Sequence, residues 1–485
     1  MAEIAEKCAV TAIVGTEDQA AVLAYDALFA MQHRGPEATG IATQSADGGL
    51  EMRRGLGMVR DVYSEADMNR LAGTLAIGHN RYSTSGSKKS HPQPVVDEHI
   101  GFAFGHNGNL PVTHYLRTFL EKHNIIASRL NDSEMMGQAI AQYLRSGHDL
   151  PDAVELAYPL FRGAFSCVGM HDGVVVAFRD PKGIRPLALG EIADEAGGRI
   201  GMAAASETCG LDTIGARYTR EVEPGEMVII TRDGVESRRI SDGEDKLDMF
   251  EMVYFARRDS MLYGMPVDAF RRRCGQQLAK FHEEHLGDIS DALVIPIPDT
   301  SAPAAEGFAK ALGLEYAQAI VKNPYTGRTF LNPSDKARMQ QLRRKHNAVP
   351  GLMKGRHIIY VDDSYVRGKT TPRLHALAVA EGAESVTFLM ASPPVRFPDF
   401  YGIDTPSQDE LPAANLTVEQ MRRRISEDQA KECRYLGFLP LSLMVAASDL
   451  PASKFNLAPF NGEYPIGIGN RKSEIRTPVS MEYAE

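Results

Sequence analysis

The densest chemistry in the chain lies in Ile358-Ile359-Tyr360-Val361-Asp362-Asp363-Ser364-Tyr365-Val366-Arg367-Gly368-Lys369-Thr370-Thr371. The apolar run predicts a buried strand that delivers two adjacent carboxylates to its C-terminal end, where open α/β sheets bind ligands. A loop rich in Ser, Gly and Thr follows and enters a helix, whose first amides and dipole favour a phosphate. Arg367 and Lys369 add positive charge. Asp362 and Asp363 suit ribose hydroxyls or a magnesium ion, a hard cation that prefers oxygen ligands. An Asp-Asp pair after a strand is often only a solvated turn. Here the strand, the acidic pair and the Gly-Lys-Thr-Thr loop occur together in the order a phosphate site needs. The loop is not a Walker motif, because Asp363 stands where its first glycine belongs.

The elements around this loop have a regular rhythm. Residues 292–297 form an apolar run, 304–312 read as a helix, and 358–361 as a second buried strand. Thr371 is placed to cap a helix with Pro372 at its first position, Gly382 to end it, and 386–390 form a third strand. This β-α-β-α-β order predicts a parallel sheet covered by helices. The first half, to about Arg239, has short apolar runs such as 174–178 and 226–231 broken by turn residues, which predicts layered sheets with helices such as 20–31 outside them. The polar stretch 241–246 reads as a domain junction, and the chain is loop-rich from about residue 450.

Bulk properties narrow the function. A length of 485 residues favours two or three domains. The net charge of −10 argues against a nucleic-acid partner, which needs clustered Lys and Arg. No apolar run is long enough to span a membrane, and the acidic start MAEIAEKCAV does not read as a signal peptide. Five scattered cysteines give neither a disulfide framework nor a CxxC pair, so a cytoplasmic setting is expected. Cys167, Cys209, Cys274 and Cys433 read as core residues, and the spacing of His33, His79 and His106 is not that of a zinc site.

The Asp-Asp-Ser-x-Val-Arg-Gly loop resembles the phosphoribosylpyrophosphate (PRPP) fingerprint of type I phosphoribosyltransferases. Tyr254 to Ser260, Ile297-Pro298-Asp299-Thr300-Ser301, the run from Lys322 to Phe330 and Tyr401-Gly402-Ile403-Asp404 resemble the glutamine PRPP amidotransferase family in particular, in order over nearly the whole chain. The resemblance implies that Asp362 and Asp363 contact ribose and magnesium, helped by the Thr300 hydroxyl. It implies that Ser364, Val366, Arg367, Gly368, Lys369 and Thr370 hold the 5′-phosphate. Lys322, Tyr325, Arg328 and Lys345 would belong to a flap that closes over pyrophosphate and keeps water out.

The N-terminal half resembles the N-terminal-nucleophile glutaminase domain through Cys8, His33-Arg34-Gly35, Gly78 to Thr84, His106-Asn107-Gly108-Asn109 and Asp132-Ser133-Glu134. The fold implied is a four-layer αββα glutaminase domain over 8–240, an α/β parallel-sheet phosphoribosyltransferase domain over 241–450, and a C-terminal segment over 451–485. By the same resemblance Cys8 is the nucleophile, and its own α-amine is the base once residues 1–7 are removed. Asn107 and the Gly108 amide would form the oxyanion hole. Arg81 would take the substrate α-carboxylate, Asp132 its α-ammonium, and Gly35 and Thr84 would line the pocket.

The chain departs from the family pattern at Ala9, Pro36, Asn80, Pro324 and Lys369. One branch of the family carries an iron–sulfur cluster on four cysteines; the corresponding positions here are Asp248, Asp399, Asn456 and Pro459, so no cluster is expected. The activity implied is formation of 5-phosphoribosylamine, glutamate and pyrophosphate from PRPP, glutamine and water, the first step of purine synthesis. A homo-oligomer inhibited by purine nucleotides is implied with it. Two competing readings remain at this point: a paralogue using free ammonia or serving another pathway, and a non-catalytic PRPP or nucleotide sensor. The retained Cys8, Arg81, Asn107 and Asp132 speak against the sensor.

Overall fold

The computed structural model describes residues 8–15, 19–45, 47–81, 91–194, 196–322, 346–403, 405, 407–427 and 429–480. The strand Ala9–Gly15 lies at the centre of a seven-stranded sheet, antiparallel to Leu75–Arg81 on one side and Arg199–Ala205 on the other. Its side chains alternate, as a strand buried on both faces requires. Val10, Ala12 and Val14 pack against Val168, Met170, Val228 and Ile230 of a six-stranded second sheet. Ala9 and Ile13 pack beneath Ala24 and Leu28 of the helix Ala20–Ala30. The second sheet turns Phe104, Phe165 and Phe178 outward onto the helices Asp132–Arg145 and Leu150–Ala157, through Met136, Ile140, Leu150 and Val154. The order of layers is therefore helix, sheet, sheet, helix.

Past residue 290 the chain builds a five-stranded sheet in the order Glu315–Tyr316, Leu293–Pro296, His357–Asp362, Ser385–Met390, Tyr435–Phe438, with every pairing parallel. Both faces are covered, which is why its strands read as continuous apolar runs. Val294, Ile359, Val361 and Leu389 face the helices Val267–Leu286 and Ala302–Leu312 through Phe270, Leu278 and Phe308. Leu293, Ile295, Tyr360 and Phe388 face Leu374 and Ala378 of the helix Thr371–Ala380.

One expected detail shifts by a residue. The helix starts at Thr371 itself, with Thr370 in the cap position and no side-chain cap bond, so Thr371 is not the cap and Pro372 sits one place inside. Thr370 already has helical φ and ψ, so the turn begins earlier than the side chains suggest. The 241–246 stretch lies against the preceding half: the Glu244 and Lys246 N–H groups donate to the Pro181 and Lys182 carbonyls at 2.9 and 2.8 Å. Beyond it, Leu247–Asp248 pairs in parallel with Phe455–Asn456. No described helix is long and apolar enough to cross a membrane.

The helices Val267–Leu286 and Ala302–Leu312 touch backbone to backbone. A Cβ on Gly275 would lie 1.9 Å from the Ala304 carbonyl oxygen, and one on Gly307 would lie 2.1 Å from that of Arg272. Gly275→Ala is therefore expected to cost on the order of 2 kcal/mol or more by overpacking. Thermal unfolding is the measurement; an unchanged midpoint would show that the helices separate without penalty.

Candidate active site

Cys8 is half-buried at the entrance of the central strand. Its carbonyl accepts the Arg34 Nε–H at 3.0 Å. Two residues on, the Val10 N–H donates to the Ser206 hydroxyl oxygen at 2.9 Å, and the Asn107 side-chain amide donates to the same oxygen at 3.3 Å. Ser206 thus ties the strand that follows Cys8, the expected nucleophile, to Asn107, the expected oxyanion residue. Gly108 has φ +152°, and a Cβ there would lie 2.0 Å from the Ala164 carbonyl oxygen, so only glycine fits.

Gly35 and Arg81 are brought together by backbone contact: a Cβ on Gly35 would lie 2.7 Å from the Arg81 nitrogen, and the Glu37 N–H donates to the Arg81 carbonyl at 3.1 Å. The buried Nε of Arg81 has no hydrogen-bond partner among the described residues, which suits a carboxylate ligand. Asp132 opens the helix Asp132–Arg145 behind a capping box of Asn131 and Glu134. One of its oxygens accepts the Leu110 N–H at 3.3 Å and the other the Ser133 N–H at 2.9 Å.

The histidines support this pocket. His79 Nε2 lies 3.0 Å from the His106 carbonyl, His106 Nδ1 lies 2.9 Å from the Ser133 hydroxyl, and His33 Nε2 lies 2.8 Å from Glu207. Burial pushes His79 down to about 3 and lowers His106, so both rings are neutral near pH 7. Cys167, Cys209, Cys274 and Cys433 are buried and unbridged, and burial raises the Cys167 thiol far above its usual range.

At the other site, Asp362 ends the strand His357–Asp362. Asp363 is 7% exposed; its carboxylate accepts the Thr300 hydroxyl and, at 2.8 Å, the Ser364 hydroxyl. This all-oxygen group at a strand end fits a hard cation. Val366 and Tyr365 are buried, so these two side chains anchor the loop in the core. Gly368 has φ +61°, and a Cβ there would strike the Tyr365 hydroxyl. Arg367 and Lys369 line a cavity with Asp409, Glu410, Asn415 and Arg424. Lys322 pairs with Asp299. Thr84, Tyr325, Arg328, Lys345 and Pro324 lie outside the described residues, as does the leader 1–7.

Between the two sites lie residues to which the motifs gave no role, among them Arg34 and Arg257, together with Glu207, Glu251 and Arg271, which no motif contained. The fully buried Arg34 guanidinium bonds Glu207 and, at 2.7 and 2.9 Å, Glu251. Glu207 also accepts the Arg257 N–H at 2.9 Å and the Ser260 hydroxyl at 2.7 Å. Arg271 donates to the Met252 and Ala256 carbonyls and lines the same small cavity as Thr300 and Asp363. The Asn109 amide donates to the Phe400 carbonyl at 2.8 Å. A Ser-Glu pair closing the apolar run 201–205 was the available signal for Ser206 and Glu207.

The positions that would hold an iron–sulfur cluster carry two carboxylates, an amide and a proline, all buried. They offer no thiolate and do not fit that group.

Two stacked antiparallel sheets between helices, with a cysteine at the mouth of the central strand, describe an N-terminal-nucleophile glutaminase. The parallel sheet ending in Asp362 and Asp363 describes a type I phosphoribosyltransferase, so the class is a glutamine-dependent glycosyltransferase. The chain is 40% identical over 467 residues to an amidophosphoribosyltransferase of Synechococcus elongatus, covering 96% of this chain and 92% of the relative. It is 35% identical to that of Bacillus subtilis, covering 96% and 95%. The solved structure of the B. subtilis glutamine PRPP amidotransferase, complexed with ADP and GMP, superposes with a TM-score of 0.84 at 35% identity, over 96% of this chain and 98% of that one. No protein-family model matches the chain. The chain belongs to the amidophosphoribosyltransferase family.

Ser206→Ala removes the shared acceptor of Val10 and Asn107. It is expected to slow glutamate release about tenfold, equivalent to about 1.4 kcal/mol of transition-state stabilisation, while ammonia-dependent synthesis persists. An unchanged glutaminase rate would remove Ser206 from the account.

Proposed function

We propose that the chain makes 5-phosphoribosylamine, glutamate and pyrophosphate from PRPP, glutamine and water. The observation that carries this is Arg34, whose guanidinium holds the Cys8 carbonyl on one side and Glu251, which leads toward the PRPP sheet, on the other. Cys8 attacks the glutamine carboxamide, and its α-amine, with an ordinary pKa near 8, accepts the thiol proton. This role requires removal of residues 1–7. Asn107 and the Gly108 amide stabilise the oxyanion, Arg81 and Asp132 hold the two charged ends of glutamine, and Gly35 and Thr84 line the pocket. Ammonia leaves, water releases glutamate from the thioester, and ammonia displaces pyrophosphate at C1 of PRPP.

Thr300, Asp362 and Asp363 would hold magnesium, which supplies charge neutralisation for the departing pyrophosphate. Ser364, Val366, Arg367, Gly368, Lys369 and Thr370 bind the 5′-phosphate, and Lys322, Tyr325, Arg328 and Lys345 close over the pyrophosphate. We assign 8–240 to the glutaminase, 241–450 to the phosphoribosyltransferase and 451–485 to the C-terminal segment. Purine nucleotide inhibition is supported by the complex of the B. subtilis protein with ADP and GMP. A homo-oligomer without an iron–sulfur cluster, in a reducing cytoplasm where its five cysteines form no disulfide, completes the reading.

Cys8→Ala should abolish glutamate release while leaving synthesis from ammonium; retained glutaminase activity would overturn the nucleophile assignment. Asp362→Asn with Asp363→Asn should weaken PRPP binding by about a hundredfold or more, on the scale of lost charged contacts. Calorimetric titration with PRPP and magnesium is the check, and normal affinity would sink the loop assignment.

A further inference from the structure

The strand Phe102–Val112 loses its regular pairing beside Gly108. Asn107, Gly108 and Asn109 pair with Ser166, Phe165 and Ala164, and the register then shifts before Val112 meets Arg162. The Leu110 N–H donates to the Asp132 side chain at 3.3 Å. A glycine next to such a break has more backbone freedom than any other residue. An oxyanion donor, by contrast, must be aimed before the charge develops.

The fixing contacts come from a turn far along the chain. Beyond the parallel strand Ser385–Met390, the Phe400 carbonyl accepts the Asn109 side-chain amide at 2.8 Å. A Cβ on Gly402 would lie 3.2 Å from the Cα and the carbonyl carbon of Gly108, and 3.5 Å from the Asn109 nitrogen. Gly108 also meets the Ala164 carbonyl oxygen, 2.0 Å from where its own Cβ would stand. Main chain from two elements therefore closes on this one glycine.

The turn is itself braced. One oxygen of the buried Asp399 accepts the Tyr401 and Ile403 N–H groups at 2.7 and 3.1 Å. The Tyr401 hydroxyl donates to the Ile466 carbonyl and accepts the Ile466 N–H at 3.0 Å. The Tyr464 hydroxyl donates to the Pro398 carbonyl at 2.6 Å. Phe400, Tyr401 and Ile468 pack with Ala164 and Ile184. These contacts make the Phe400 carbonyl a fixed acceptor.

We infer, resting on the assignment of Gly108 as oxyanion donor to the Cys8 intermediate, that the turn 399–403 is part of the glutaminase site. With the Phe400 carbonyl on Asn109 and Gly402 against Gly108, it fixes the direction of the Gly108 N–H. Asn109 is thus a positioning residue that acts through Gly108. A misdirected donor weakens the transition state and leaves the binding of glutamine unchanged.

The test uses the full chain processed to Cys8. Asn109→Leu keeps the side-chain volume and removes the donor. Its glutaminase kcat is expected to fall about tenfold, less than when an oxyanion donor itself is lost. KM for glutamine should change by less than about twofold. Alkylation of Cys8 by iodoacetamide, which displaces iodide and forms no oxyanion, should keep its wild-type rate, as should synthesis from ammonium. Asp399→Ala, which frees the turn, should repeat the kcat loss, and Asp399→Asn, which keeps the accepting oxygen, should restore it. Asn109→Ala is measured alongside, so the outcome stands where the leucine variant fails to fold. An unchanged kcat overturns the proposal, as does a raised KM at constant kcat. So does a loss shared equally by alkylation or by ammonium-dependent synthesis, the mark of a contact that only holds the fold. Glutamate release by the Cys8→Ala protein would instead remove the nucleophile assignment beneath it. With that variant inactive, a normal Asn109→Leu protein removes the turn alone.

Discussion

The buried Arg34 guanidinium is the interaction on which the rest of the molecule depends. Its three nitrogens reach the carbonyl of Cys8, the carboxylate of Glu207 and that of Glu251, groups from three distant parts of the chain. Burial alone would lower its pKa, but the Glu251 and Glu207 charges outweigh burial and raise it. Burial would likewise raise the two acids, yet His33 and Arg34 hold Glu207, and Arg34 and Arg185 hold Glu251, below the ordinary range. Because their folded pKa values are depressed, the stability they contribute is present above the ordinary carboxylate pKa and is lost only as pH falls through the depressed values. Removing one partner would strand a charge in the interior, a loss of about 3–5 kcal/mol in comparable buried pairs. Cys8 is thus located by the same guanidinium that holds Glu207 and Glu251.

Legibility in the sequence followed the range of the interactions. The three central strands of the parallel sheet were readable because burial on both faces leaves unbroken apolar runs. The edge strands Glu315–Tyr316 and Tyr435–Phe438 were not, since two and four residues carry no period. The acidic pair and the Gly108 region stood out as motifs because their neighbours in sequence are their neighbours in space. Ser206 and Glu207 did not, for their partners Val10 and Arg34 lie 196 and 173 residues away. No local pattern encodes such a contact.

The departures from the family pattern make structural sense where they fall among described residues. The Ala9 methyl is buried beneath the helix Ala20–Ala30. Asn80, buried in the next strand, donates its side-chain amide to the Leu28 carbonyl at 2.7 Å and so fastens that helix to the sheet. Pro36 is exposed. At Ala9 and Asn80 the substituted side chains pack within the sheet-and-helix frame, while Pro36 faces outward.

The seam between Gly108 and Gly402 has a mechanical consequence. A Cβ on Gly402 would lie 3.2 Å from Gly108, and both glycines have positive φ. Main chain therefore meets main chain, with no rotamer between them to yield. Side chains at a joint act as a cushion, absorbing small displacements by turning about their own bonds; two bare backbones behave as meshed gear teeth. A side chain at 402 would press on the Gly108 backbone and would need a backbone shape that L residues rarely adopt, so the seam closes in this form only with glycine on both sides.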